Sequence, residues 1–167
     1  MQPLRTTIRF ALEGDANALA ELRWASRSLR EQASESKESF VQRFVQWLSH
    51  ALRSEDWQIA VAQPSGGPLI GCMYLRVIET VPVPGIAGRA WGYVTHAFVQ
   101  EGARGDGVGT ALLAQLIHRS RSLQLHELQV WPSAAAVSLY ARAGFQSPEA
   151  QRASGEEASY LLPLPAR

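Results

Sequence analysis

The order of hydrophobic segments predicts that this chain of 167 residues forms one mixed α/β (α+β) domain spanning residues 1–167. A length of 167 residues with 46% apolar residues favours a single domain with its own core. Two strand-like segments flank a Pro-Gly turn, which is typical of an antiparallel hairpin. Later, a helix separates two strands, and such a crossover makes those strands parallel. We therefore expect a mostly antiparallel central sheet flanked by helices.

The N-terminal half is predicted to contain a strand, two helices and a hairpin. Residues 6–12 alternate apolar and polar side chains, as a half-buried strand does. Asp15 follows and can accept a hydrogen bond from an early N–H of the first helix. The polar residues 26–39 indicate a loop or a frayed helix end. Residues 39–52 repeat apolar side chains every three or four positions, which predicts a second helix, and the hairpin strands are residues 57–62 and 69–78.

The C-terminal half alternates strands and helices. Residues 80–89 contain two prolines and two glycines and are predicted to be a loop. The remaining predicted elements are a strand at residues 90–99, a glycine-rich turn at 102–107, a helix at 110–120, a strand at 125–131, a short helix at 133–142 and an edge strand at 160–164.

Composition and charge exclude several classes of protein. A net charge of +1 and a charged fraction of 19% do not favour a nucleic-acid or membrane partner. Cys72 is the only cysteine, so we expect no intramolecular disulfide framework and interpret it as a core residue. The four histidines lack metal-ligand spacing, so we expect no metal. With no signal-like N-terminus and no uninterrupted membrane segment, we expect a cytoplasmic protein.

The most informative motif is the glycine-rich turn before the helix at residues 110–120. Residues 104–110 read Arg-Gly-Asp-Gly-Val-Gly-Thr. Glycines allow the backbone to approach a ligand closely, and the first N–H groups of a helix have no internal partners. Such a turn can bind an anion such as a phosphate, although a tight connection without a ligand remains the simple alternative. The spacing fits neither a Walker loop nor a dinucleotide-binding fingerprint.

A second motif lies about twenty residues further along the chain. Residues 136–145 read Ala-Val-Ser-Leu-Tyr-Ala-Arg-Ala-Gly-Phe. Together with residues 104–109, this segment resembles the paired hallmarks of the GNAT superfamily of N-acetyltransferases, Arg/Gln-x-x-Gly-x-Gly/Ala and Ala-x-x-Leu-Tyr-x-x-x-Gly-Phe. The two hallmarks cover residues 90–145, and the order of elements fits nearly the whole chain.

The resemblance implies acetyl-CoA as the acyl donor and two strands, residues 90–99 and 125–131, that splay apart to admit its pantetheine arm. The turn amides would hold the pyrophosphate, and the strand backbone would pair with the pantetheine amides. The implied cofactor-binding residues are Ala97, Phe98, Val99, Arg104, Gly105, Asp106, Gly107, Val108, Gly109, Thr110 and Ser133. Asp106 occupies a commonly basic position and Ser133 stands where many members have Asn, so both departures bear on affinity.

The resemblance also implies direct transfer of the acetyl group to a primary amine of a small molecule or a protein. Tyr140 matches the family's Tyr position and is the candidate general acid; the alternative is a buried aromatic that only packs. His96 is the candidate general base, with Glu79 as a second candidate. Both also fit ordinary structural or solvated positions.

The acceptor site is expected to involve residues 24–40 and the 80–89 loop. Glu31, Glu35 and Glu38 could attract a cationic amine, or could simply form a solvated helix face. Two other functions remain open, namely a catalytically silent acyl-CoA-binding module on the same fold and a structural or interaction protein without a CoA site. A homodimer is possible.

Overall fold

A six-stranded sheet forms the centre of the protein, seen in a computed structural model that describes residues 6–85, 89–147 and 160–164. The strands lie side by side in chain order, and neighbours are antiparallel except for the fourth and fifth. They are β1 Thr6–Phe10, β2 Trp57–Pro64, β3 Gly71–Glu79, β4 Ala90–Val99, β5 Glu127–Val130 and β6 Tyr160–Pro163. The helices are α1 Ala16–Ala25, α2 Leu29–Gln32, α3 Lys37–Arg53, α4 Val108–Ser122 and α5 Val137–Arg142. The predicted fold class is confirmed.

Helices cover both faces of the sheet. Buried side chains along β2 and β3 alternate between two hydrophobic cores, one on each face. On β3, Met73 and Leu75 pack in the core that includes α4, whereas Cys72 and Tyr74 pack in the core formed with α1 and α3. Cys72 is buried as expected, and burial raises the pKa of its thiol to about 12.

The β4 and β5 strands separate after a short parallel pairing. They pair only at Gly92 with Leu128 and at Tyr93 with Gln129, and β5 ends at Val130. The other edge of β4 stays paired with β3 as far as Val99. Among the described strands, the second half of β4 therefore has one edge without a partner, as the predicted splay requires.

A bulge in β4 is a feature that the sequence did not predict. Cys72 lies opposite Phe98 but Tyr74 lies opposite Thr95, so β4 carries one extra residue in this interval. His96 lies in the bulge with φ of 50°, a left-handed conformation that is uncommon for residues other than glycine. Its imidazole meets the ring of Tyr74 edge to face, with centroids 5.8 Å apart, and so faces the α1 and α3 side.

Two predictions near the N-terminus need correction. Asp15 does not cap the first helix with its side chain. Its carboxylate instead accepts hydrogen bonds from the Arg9 guanidinium at 2.7 and 2.8 Å and from the N–H of Leu12 at 2.8 Å. The polar segment after α1 contains the short helix α2, because Ser28 and Glu31 form a reciprocal capping box.

Some predicted segments lie outside the described residues, namely the N-terminal five residues and the middle of the 80–89 loop, residues 86–88. None of the helices in the described ranges combines the length and apolar content needed to cross a bilayer.

Candidate active site

The glycine-rich turn connects the end of β4 to the N-terminus of α4. Gly105 and Gly107 have φ of 90° and 78°, so both need the left-handed freedom of glycine. Gly107 is the residue that precedes the first helical residue, Val108. A turn with left-handed residues before a helix start can bring successive backbone N–H groups around an anion.

The amide groups of this turn are free to bind a ligand. The first backbone hydrogen bond of α4 runs from the N–H of Ala111 to the carbonyl of Gly107, at 3.0 Å. Within the described chain, no backbone carbonyl accepts from the N–H groups of Gly105 through Thr110. The 15-residue helix adds the positive end of its dipole at the same place. This arrangement matches an anion, and a phosphate in particular.

Arg104 supports the turn from the edge of β4. Its Nε donates a hydrogen bond to the carbonyl of Val99 at 3.0 Å. Gln100 donates its N–H to the carbonyl of Ile70, on the β3 side, at 2.8 Å. Because backbone groups alternate along a strand, the polar groups of Val99 and Ala97 face the open edge of β4.

A cleft of about 600 Å³ lies between the open edge of β4, the turn and α5. This volume is within the range of small-molecule and cofactor sites. Its walls contain all but one of the residues predicted to bind the cofactor, namely Ala97, Phe98, Val99, Arg104, Gly105, Gly107, Val108, Gly109, Thr110 and Ser133. The exception is Asp106, which is exposed and is not part of the wall.

Three polar side chains of the cleft can contact a ligand, namely Ser133, Ser138 and Arg142. Ser133 makes no capping hydrogen bond with its hydroxyl, so that group can serve a ligand. Ser138 and Arg142 also line the cleft, and the sequence reasoning assigned neither a role. Arg142 adds a second cation to that of Arg104, as an anionic ligand requires. The free amides, the open strand edge and these side chains together fit a long, phosphate-bearing molecule such as acetyl-CoA.

Tyr140, the candidate acid, is buried beside the cleft and is not part of its described wall. Its ring meets Phe145 edge to face, with centroids 5.4 Å apart. Burial, with a smaller contribution from Tyr93, raises the pKa of the phenol to about 12. Tyr140 is therefore neutral at pH 7 and retains a proton to donate.

His96, the candidate base, lies on the other side of β4 from the cleft. It lines a cavity of about 100 Å³ together with Arg23, Tyr74, Ala97 and Phe98. Ala97 and Phe98 also line the 600 Å³ cleft, so these two residues form a wall that the two cavities share. Burial, followed by the charges of Arg23 and Arg27, lowers the pKa of His96 to about 4, so its ring is neutral at pH 7.

A third cavity of about 330 Å³ shares Arg23, Tyr74 and His96 with the small one. The sequence predicts an acceptor site at residues 24–40 and the 80–89 loop. It does not single out Arg23 or Tyr74, which are far from each other in the chain. Neither Glu79 nor any of the glutamates predicted to attract an amine lines these three cavities. Glu79 pairs with Ala90, at the other end of β4 from Ala97.

Comparison with protein families gives a match to the model described as the acetyltransferase (GNAT) family, over residues 16–145. No curated protein sequence matches the chain. The family match includes both motifs and every predicted catalytic and cofactor-binding residue.

Several solved structures share the fold. A predicted acetyltransferase with acetyl-CoA from Clostridium acetobutylicum has a TM-score of 0.70 and 19% identity, covering 87% of this chain and 92% of its own. A transcriptional regulator from Bacillus halodurans has a TM-score of 0.72 and 19% identity, covering 92% and 99%. Glucosamine-6-phosphate N-acetyltransferase from Arabidopsis thaliana has a TM-score of 0.66 and 17% identity, covering 93% and 98%. At these identities the likeness concerns the fold alone.

Proposed function

Because the chain belongs to the acetyltransferase (GNAT) family, we propose that it transfers an acetyl group from acetyl-CoA directly to a primary amine. The observation that carries the proposal is that two separate cavities share Ala97 and Phe98 as a common wall. One cavity has the free amides of the turn, and the other has a neutral imidazole, so a donor and an acceptor can approach the bulge from opposite sides.

The residues of the cleft suit the parts of acetyl-CoA in turn. The N–H groups of Gly105 through Thr110 would hold the diphosphate, with Arg104 and Arg142 supplying positive charge. The backbone of Ala97 and the N–H of Val99 would pair with the pantetheine amides as an additional strand does, while the Val99 carbonyl already accepts from Arg104. The Ser133 hydroxyl would add one hydrogen bond.

When bound, acetyl-CoA supplies a thioester whose carbonyl carbon forms a bond to the amine nitrogen as its bond to sulfur breaks. The amine must be neutral to react, and partial burial beside His96 lowers the pKa of an amine held there because it disfavours the charged form. His96 is neutral at pH 7, and its lowered pKa of about 4 makes it a weak base. It therefore relays the proton that the nitrogen loses to water and does not hold it, since the residue is exposed to solvent.

Tyr140 is proposed to protonate the leaving sulfur. A thiol has an ordinary pKa near 8.5, so a departing thiolate takes a proton from a suitably placed donor. The Tyr140 phenol is protonated at neutral pH, and the burial that raises its pKa to about 12 would also raise the pKa of a thiol that leaves beside it. Tyr140 lies on α5 behind the cleft wall formed by Ser138 and Leu139, so this role requires its hydroxyl to reach the cleft when the donor binds.

The proposal is tested by calorimetric titration with acetyl-CoA, followed by a thiol-release screen over a panel of primary amines. We expect saturable binding of acetyl-CoA and turnover of at least one amine. Binding without any turnover would instead support the silent acyl-CoA-binding module. The absence of binding at millimolar acetyl-CoA would contradict the proposed function altogether.

A further inference from the structure

The 330 Å³ cavity has walls of two kinds. One wall is a succession of aromatic rings on α3, where the centroids of Phe40 and Phe44 are 5.8 Å apart and those of Phe44 and Trp47 are 5.4 Å apart. The remaining lining residues carry polar groups and are Arg23, Arg43, Tyr74 and His96. The cavity is therefore suited to a molecule with an apolar part and a polar part.

Arg23 lines both the 100 Å³ and the 330 Å³ cavities and makes no ion pair with any described residue, unlike Arg27 of the first cavity and Arg43 of the second. Arg27 forms an ion pair with Glu31 at 3.3 Å, and Arg43 forms an ion pair with Glu35. Among the described residues, no carboxylate pairs with Arg23, and no hydrogen-bond acceptor contacts its guanidinium. The guanidinium is half-buried, and this burial lowers its pKa. A half-buried cation without a partner is stabilised when it binds an anion from solution.

Tyr74 provides an independent observation that also indicates a ligand. Its side chain is 1% exposed, and its hydroxyl makes no hydrogen bond to a nitrogen or oxygen among the described residues; the Cys72 thiol, a weak hydrogen-bonding group, interacts with it. Buried hydroxyl groups normally have a stronger partner, because losing water without gaining one is unfavourable. The hydroxyl oxygen is shielded from solvent, and Tyr74 lines both cavities that contain Arg23, so a shift of its ring on binding would let one ligand group contact both side chains.

Building on the proposed function, we infer that the acceptor is a small amine that carries an anionic group, a carboxylate or a phosphate, beside an apolar group. Arg23 pairs with the anion, the Tyr74 hydroxyl donates a hydrogen bond to it, and the apolar group packs on Phe44 and Trp47. A volume of about 330 Å³ is at the lower end of ligand sites and fits a small molecule. Of the glutamates expected to attract a cation, Glu31 and Glu35 already pair with arginines, and Glu38 is not part of the cavity lining.

The test uses calorimetric binding of probes that cannot be acetylated, so it does not depend on turnover. The probes are 3-phenylpropanoate, its uncharged amide 3-phenylpropanamide, and 2-phenylethylphosphonate. We expect at least one anionic probe to bind tenfold or more tightly than the amide. The stronger of the two anions identifies carboxylate or phosphate as the group recognised. Equal binding of all three, or no binding of either anion, would overturn the inference.

Variants assign the effect to particular side chains. Arg23→Gln is expected to abolish the tenfold preference for the anion, whereas Arg30→Gln, at an exposed position on α2 outside the cavity walls, should retain it. Tyr74→Phe should weaken anion binding and change the Tm little, because the hydroxyl that it removes interacts only weakly, with the Cys72 thiol, in the unliganded protein. An undiminished anion preference in Arg23→Gln would overturn the assignment.

Failure of this inference is distinguishable from failure of the proposed function. If acetyl-CoA binds and only uncharged amines are turned over, the acetyltransferase function holds and the anionic acceptor is wrong. If acetyl-CoA does not bind, the proposed function is wrong, whatever the anionic probes show.

Discussion

Adding one methyl group at Gly109 tests how closely the first turn of α4 approaches its ligand. An alanine Cβ would lie 3.7 Å from Leu139 Cδ2 and 4.0 Å from Val99 Cγ2, which are ordinary contacts. Both neighbours line the cleft, so the methyl group would project into it. Because alanine is favoured over glycine within a helix by up to ~1 kcal/mol, Gly109→Ala should fold with an unchanged or slightly higher Tm.

The expected loss is in cofactor binding. A methyl group forced into a well-filled contact costs about 1–3 kcal/mol, which is a rise of roughly 5- to 150-fold in Kd. Calorimetric titration with acetyl-CoA measures this change, and thermal unfolding measures stability. Gly102→Ala is the matched control, because Gly102 lies outside the cleft wall and its added Cβ meets nothing within 4 Å. Equal Kd values for Gly109→Ala and the unmodified protein would refute close approach of the ligand at this turn.

Three further predictions concern the other groups. Tyr140→Phe should lower kcat by about 10²- to 10⁴-fold and leave the Kd of acetyl-CoA unchanged, and a normal kcat in steady-state assays would exclude the acid role. NMR titration should give His96 a pKa of about 4, and Arg23→Gln should raise that pKa partway towards 6.5; a midpoint of 6.5 in the unmodified protein would contradict the described burial. Asp15→Asn should reduce the free energy of unfolding at pH 7 by about 1–3 kcal/mol, because it weakens the charged hydrogen bonds to Arg9. The Arg9 guanidinium lowers the pKa of Asp15, so this stabilisation is present above the unfolded pKa and is lost as the pH falls through the lowered value. Denaturant unfolding at pH 7 and pH 2 should therefore show a smaller effect at pH 2.

The local features of the fold could be predicted from the sequence. The hairpin, the crossover helix and the two glycines with positive φ each depend on residues that are close together in the chain. The short helix α2 was also within reach, because Ser28 and Glu31 have the spacing of a capping box. The helix was not predicted because α2 contains no buried residue, so its sequence lacks the periodic apolar pattern of a helix.

The cleft proposed to bind the cofactor could also be predicted from local sequence, because its walls come mainly from two motifs of about ten residues each. The role of Arg142 was missed because an arginine at a helix end is usually solvated. Which side chain of a motif faces the cleft depends on the packing of α5, and spacing alone does not determine this.

The acceptor side could not be predicted, because its groups are far apart in the chain. Arg23, Tyr74 and His96 come from a helix and two strands and meet only in the folded protein. The bulge that turns His96 towards this cavity depends on the pairing of β3 with β4. No local residue pattern around His96 signals that its φ is positive. The missing partners of Arg23 and Tyr74 likewise become visible only when the surrounding residues are in place.

A crystal structure of the protein with coenzyme A is the most direct test of the account. We expect the diphosphate oxygens within hydrogen-bond distance of N–H groups from Gly105 through Thr110, and the pantetheine arm along the open edge of β4. A diphosphate bound elsewhere, with these amides turned to solvent or to the protein's own carbonyls, would contradict the assignment of this turn as the cofactor site.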